Sequence, residues 1–250
     1  MAFKDYFSDV AQEYKNYRPD YPPELFVYLA SLCAEHQLVW DCATGTGQAA
    51  KALANYFDHV FATDASEAQI KQAVPDAKIT YVCEPAETTS LKDHSVDLIT
   101  VAQALHWFDL PKFYAEVKRV LKPQGILAAW CYQTIATNHK AIHDLVDQLY
   151  WDITRQYWSK ERDYIDQAYQ NIAFPFEKLK TPAFQIQKSW NCDQLLGYIG
   201  TWSGLRNYMH AGEAQHQKTE EVFIAIENAW PKDRVEIDFH WPIKLLAARI

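Results

Sequence analysis

The residues best suited to chemistry lie in one short loop. Leu38-Val39-Trp40-Asp41-Cys42-Ala43-Thr44-Gly45-Thr46-Gly47-Gln48 reads as an apolar strand, a small-residue turn and the start of a helix over 48–56. Glycine serves where the backbone turns tightly and a ligand approaches closely, and the free N–H groups opening a helix favour a negative group. Asp64 follows 19 residues after Gly45, at the end of the next apolar run, where a carboxylate can accept both hydroxyls of a ribose. The pattern describes an adenosine-containing ligand lying across the C-terminal edge of a sheet. Gly45-x-Gly47-x-x-Ala50 with Asp64 also satisfies a dinucleotide fingerprint. Asp41 weighs against that reading, because a carboxylate just ahead of the loop suits an ammonium and repels a pyrophosphate. A ligand with an amino acid head is favoured.

Such a loop needs a sheet behind it. Apolar runs at 38–40, 59–63, 79–83, 96–102 and 126–132 have the length of buried parallel strands, and helical patterns separate them. Over 110–121, Phe113, Val117, Val120 and Leu121 fall on one helical face, which stops at Lys122-Pro123-Gln124-Gly125. Pro23 opens a further helix over 24–35. The alternation indicates a doubly wound α/β sheet. Beyond Tyr132 the pattern changes to helices over 138–157 and 164–176, a strand over 183–190, helices over 193–199 and 213–230, and a last β run over 234–246. Seven of the nine tryptophans lie at or after Trp130. With no repeat and no Gly/Ser linker, a single domain is expected. It divides into an N-terminal cap segment at 1–36, a cofactor-binding core at 37–132, and a helical aromatic-rich insertion plus the last two strands at 133–250.

Composition narrows the partners. The 250 residues include 24 basic and 32 acidic side chains, a net charge of −8 that gives nucleic acid no general electrostatic invitation. The five cysteines are odd in number and never C-x-x-C, which suggests neither a disulfide framework nor a zinc knuckle. No stretch has the length and apolarity of a membrane span, so no membrane partner is expected and a cytoplasmic location is. His139 and His143 have the spacing of a metal pair but lack HExxH and a third ligand, so no metal is expected.

Asp41 through Gly47 resembles the D-x-G-x-G-x-G loop of the class I S-adenosylmethionine-dependent methyltransferases. Ser95-Val96-Asp97-Leu98-Ile99 resembles that family's fourth strand, and Arg119-Val120-Leu121-Lys122-Pro123-Gln124-Gly125-Ile126-Leu127 its R-x-L-K-P-G-G segment leading into strand five. More narrowly, Tyr17-Arg18-Pro19-x-Tyr21-Pro22, Ala102-Gln103-Ala104-Leu105-His106-Trp107-Phe108-Asp109 and Thr201-Trp202-Ser203 resemble the trans-aconitate methyltransferase-like branch. The resemblance spans nearly the whole chain. It implies a Rossmann-like sheet in the order 3-2-1-4-5-7-6, the last strand antiparallel, with S-adenosyl-L-methionine as cofactor. By the same match, Ala43, Gly45 and Gly47 bring backbone against the methionine moiety, and Asp41 helps hold its ammonium. Asp64 and the adjoining Ala65 receive the ribose, Ala86 and Glu87 flank the adenine, Gln103 lies near the methionine end, and Tyr14 and Arg18 complete the cofactor site. Two departures stand out. Ala43 replaces the usual first glycine, which requires a negative φ there. Pro85 stands where relatives often carry an adenine-contacting aspartate, so that contact either shifts to Glu87 or is lost.

Methyl transfer from a sulfonium is an in-line displacement whose main demand is alignment. A carboxylate acceptor is already ionised at neutral pH and needs no base. The reaction implied is carboxyl O-methylation of a small organic acid, with Arg206 and Arg18 as carboxylate binders because arginine suits bidentate contact. Methylation at carbon, nitrogen or phenolic oxygen is the alternative, and His106, just past strand four, is then the base. Tyr17, Trp107, Trp202 and Ser203 are expected in the acceptor pocket. An NAD-linked oxidoreductase is disfavoured by Asp41 and the later motifs, and a cofactor-binding protein without catalysis stays open. The expected assembly is a monomer or homodimer.

Overall fold

The structure is a computed structural model and describes residues 19–250. Eight strands form one sheet: β1 (Leu38–Cys42), β2 (His59–Asp64), β3 (Ile79–Cys83), β4 (Val96–Ala102), β5 (Leu121–Tyr132), β6 (Ala136–Thr137), β7 (Phe184–Trp190) and β8 (Ile237–Arg249). The order is β3-β2-β1-β4-β5-β8, with β6 and β7 both paired to β8. The first five strands are parallel, and β8 runs antiparallel to β5. With the two-residue β6 set aside, this is the expected 3-2-1-4-5-7-6 arrangement. The small strand prolongs β5 along the same edge of β8, since Gln133 N–H donates to the Pro242 carbonyl between the two pairings.

Alternation along the strands assigns the two faces. Val39, Leu98, Ile126, Ala128 and Trp130 enter one core with the helices α1 (Pro23–Ser31) and α2 (Gln48–Leu53), while Trp40, Ile99, Val101, Leu127 and Ala129 enter another. The short helix α3 (Glu67–Lys71) follows β2. On the second face lies α4 (Leu110–Val120), which presents Phe113, Val117 and Val120 as its periodicity requires and is capped by Asp109. The segment resembling R-x-L-K-P turns out to be scaffolding. The Arg119 guanidinium donates to the carbonyls of Thr89 and Leu91 and to the carboxylates of Asp93 and Glu116. Lys122 reaches buried Asp97 at 2.7 Å, whose other oxygen accepts the Gln37 and Leu38 N–H groups at the start of β1.

The region after β5 departs from the expected helices. In place of one helix over 138–157, α5 (Lys140–Asp147) widens into a π-helical turn, Gln148–Thr154, and a 3-10 turn, Arg155–Tyr157. The expected helix over 164–176 is confined to α6 (Arg162–Asp166). Ala168 and Tyr169 have φ of 51° and 56°, and two left-handed residues in succession end a right-handed helix. Tyr169 is thereby turned inward, with no exposed surface. The remaining helices, α7 (Cys192–Gly200), α8 (Ser203–Met209) and α9 (Glu213–Ala229), pack on the first core. An Asn191–Gln194 capping box starts α7. Among the described residues, no helix is long and apolar enough to cross a membrane.

Candidate active site

At the C-terminal edge of the sheet, β1 delivers Asp41 between Ala62 of β2 and Thr100 of β4. Asp41 is fully buried, and its two oxygens accept the hydroxyls of Thr44 at 2.5 Å and Thr100 at 2.7 Å. Burial pushes its carboxyl up to about 6 against the opposing pull of those hydroxyl bonds. Thr44 N–H donates to the Thr63 carbonyl, so the loop is drawn towards β2, where Asp64 takes the Gly45 N–H on one oxygen and the Ser66 N–H on the other, each at 2.8 Å. Asp41, Gly45 and Asp64 thus form one connected unit.

Two positions in the loop carry unusual backbone. Gly47 has φ 86°, and a Cβ there would lie 2.3 Å from the Tyr81 hydroxyl, so both conformation and space require glycine. Ala43 has φ 55°, where a negative angle was expected of a non-glycine residue. The chain runs through a left-handed turn at both Ala43 and Gly45, whose φ is 59°, and Ala43 bears the steric cost because the surrounding strand pairings and loop bonds fix its neighbours.

The other residues expected around the cofactor surround this loop. Ala65 is exposed beside Asp64, and Ala86 is buried against the second core. The Glu87 carboxylate accepts the Asp109 N–H at 2.9 Å, which ties the loop after β3 to the start of α4. Gln103, one residue past β4, has φ 58°; its Nε2 donates to the Tyr132 carbonyl at 3.4 Å, and its buried Oε1 has no partner among the described residues. An unmet acceptor at the sheet edge, a cradle that excludes a Cβ, and a carboxylate locked beside the loop together fit a ligand carrying an ammonium and a ribose. Tyr14, Tyr17 and Arg18 lie outside the described residues.

On the acceptor side, His106 occupies a single 3-10 turn, Leu105–Trp107. It is 8% exposed, and its Nδ1 is 3.1 Å from the Tyr169 hydroxyl. Burial, helped by the charge of Arg162, pushes the imidazole down to about 3. Trp107 stands beside it with ring centroids 5.0 Å apart and is itself exposed. Trp202 is buried, edge-on to Tyr150 at 5.5 Å and near Trp158 at 6.1 Å, while Ser203 opens α8 at the surface. Arg206 is drawn elsewhere. Its Nε donates to the Gly200 carbonyl, and it walls a surface cleft of about 480 Å³ together with Met209, His210, Gly212, Glu213 and His216. None of the residues expected around the cofactor lines that cleft.

Three groups at this edge carry no signal in the sequence. Thr44 and Thr100 satisfy Asp41, and Tyr169 holds His106 from a stretch whose periodicity suggested only helix. Arg162, on α6, sits next to the turn that holds His106.

Comparison with known proteins identifies the family. Residues 40–129 match the family described as a methyltransferase domain. A protein of Dictyostelium discoideum named as a methyltransferase is 35% identical over 251 residues, covering 99% of this chain and 95% of its own length. A Saccharomyces cerevisiae protein named as an S-adenosylmethionine-dependent methyltransferase is 30% identical over 128 residues, covering 48% of this chain and 44% of its own. Among solved structures, one described as a type II methyltransferase from Anaeromyxobacter dehalogenans superposes with a TM-score of 0.85 at 36% identity, covering 93% of this chain and 97% of that one. The sheet order, the fit of the loop to an ammonium and a ribose, and these relatives agree: the chain belongs to the class I methyltransferases, enzymes that use S-adenosylmethionine as cofactor.

Proposed function

We propose that this enzyme methylates a carboxylate oxygen of a small organic acid, as the resemblance to the trans-aconitate branch implies. The observation that carries the reading is the state of His106. With its imidazole pushed down to about 3 and one ring nitrogen against Tyr169, it is neutral at working pH and far too weak a base to deprotonate a phenol or an ammonium. An acceptor that arrives already ionised has no need of one, and a carboxylate does so at neutral pH.

In this reading His106 and Trp107 shape the acceptor side, and Trp202 covers it. Backbone at Ala43, Gly45 and Gly47 receives the methionine part of the cofactor, Gln103 Oε1 and Asp41 supply negative ends for its ammonium, Asp64 and Ala65 face its ribose, and Ala86 and Glu87 its adenine. The bound cofactor supplies a methyl group on a sulfonium. A carboxylate held in line with that methyl group would accept it without first giving up a proton, so the site would need alignment and no base. The aromatic cover excludes water from this step. Five free thiols suit a reducing compartment, and the reading puts the enzyme in the cytoplasm.

Transfer of tritiated methyl from S-adenosylmethionine to a panel of mono-, di- and tricarboxylic acids tests this. The expected product is a base-labile ester, formed at saturating cofactor at a rate flat between about pH 7 and 8 and retained within about tenfold in His106→Ala, below the roughly 100-fold at which general-base contributions begin. A base-stable product, or label on none of the acids, overturns the proposal.

A further inference from the structure

Arg119 and Arg162 are both held by carboxylates, but they differ in what is left over. Arg119 meets carboxylates or carbonyls with all three nitrogens. The Arg162 side chain is only 16% exposed, yet it is held from one side alone: Nε donates to the Tyr150 hydroxyl at 2.7 Å and to Asp166 Oδ1 at 3.2 Å. Neither Nη has a hydrogen-bond partner among the described residues, so four of the five guanidinium donors are unmet. Neither Nη is sealed from solvent, so both can exchange water for the oxygens of a ligand.

Position and surroundings narrow the ligand. Arg162 opens α6, which packs against the His106 turn just beyond β4 and Gln103. Its charge is felt at His106, at the Tyr169 hydroxyl bonded to it, and at Cys131 near the end of β5. The guanidinium lies 4.6 Å from the Trp158 ring centre and 5.4 Å from that of Tyr150, and both rings pack against Trp202. The π-helical turn is what brings Tyr150 to this place. A fork of donors on the helix beside the His106 turn, with aromatic walls next to it, suits a planar anion on a short carbon skeleton.

We propose that the two Nη groups of Arg162 bind a carboxylate of the acceptor, the part expected from sequence of Arg206, with Trp158 and Trp202 against its carbon skeleton. This rests on the organic-acid reading above. Asp166, which already accepts from Arg162, then tunes the anchor by partly neutralising it.

The test is calorimetric titration of the acid panel into the complex with S-adenosylhomocysteine. Wild type is expected to bind at least one acid. Arg162→Lys keeps the charge but loses the fork, and should weaken that binding about tenfold or more, the scale of one hydrogen bond to a charged group. Asp166→Asn removes a competing charge while keeping an acceptor for Tyr150, and should tighten acid binding severalfold, which a merely structural role for Arg162 would not do. In both variants homocysteine-analogue affinity should stay within twofold, separating local effects from loss of fold. Should neither variant bind the analogue, the wild-type Arg162 guanidinium NMR signals decide, since they must shift when acid is added to the complex. Acid binding that is unchanged in Arg162→Lys, or weakened in Asp166→Asn with analogue affinity intact, or wild-type guanidinium signals that do not move, overturns the anchor and leaves the organic-acid reading standing. Failure of every acid to bind wild type overturns both.

Discussion

Ala43 and Asp41 are two residues at which the site works against the fold. A left-handed alanine costs roughly 1–2 kcal/mol, which glycine avoids. Set against the greater freedom of glycine in the unfolded chain, Ala43→Gly should stabilise the protein by about 1 kcal/mol, read as a rise in Tm of about 2–4 °C for a chain of this size. An unchanged or lowered Tm would mean that φ 55° at Ala43 carries no net strain. Asp41 is costly for a different reason. Its folded pKa of about 6 exceeds its ordinary value of 3.8, so the folded state holds this proton more tightly than the unfolded chain. The resulting stability is complete below pH 3.8 and lost as pH rises through 6. Urea titrations of wild type should therefore show stability declining across that window by up to about 3 kcal/mol from this group, and Asp41→Asn should remove that decline. In the proposed reading, the buried charge kept at neutral pH is the cost of presenting a carboxylate to an ammonium.

At the scale of elements, strands announce themselves and cover helices do not. A strand is a short apolar run, and 79–83 and 96–102 are legible to the residue as β3, partly exposed at the sheet edge, and β4, buried on both faces. The helices after β5 are shaped by distant contacts instead: Tyr169 leaves the helical path to meet His106, and the widened turn at Tyr150 reaches Arg162. Local periodicity contains neither partner. The site divides in the same way. Asp41, Gly45 and Asp64 are spaced along consecutive βα units and could be read together, whereas Arg162 joins His106 only through folding. The Lys122 motif was equally visible, but its contacts are structural. Lys122 bridges Glu35, Gln37 and Asp97 behind β1. Lys122→Met leaves the buried Asp97 carboxylate without its cation and should cost about 3 kcal/mol of unfolding free energy, with activity per folded molecule retained. A fall in specific activity without loss of stability would give Lys122 a role in the site.

For the molecule as a whole, cofactor and fold are thermodynamically linked. A ligand that binds only the folded state adds about 2.7 kcal/mol at one hundred times its Kd. Thermal denaturation with S-adenosylhomocysteine at that excess should raise Tm, and NADH at the same concentration should leave it unchanged; stabilisation by NADH alone would return the glycine loop to the dinucleotide reading. The cover that carries Trp158 and Trp202 is joined to the cofactor-binding strands through β8, which borders β5, β6 and β7. The consequence is one of timing. The pairing of β8 with β5 joins residues from 111 apart, Tyr132 and Ile243, to 123 apart, Ile126 and Arg249. Pairings so distant along the chain form late, because closing a long loop precedes any reward from the contacts it makes. Strands β1 to β4, whose pairings span no more than the 59 residues from Val39 to Leu98, can assemble first, leaving the cofactor edge formed before the segment after β5 is fastened to it.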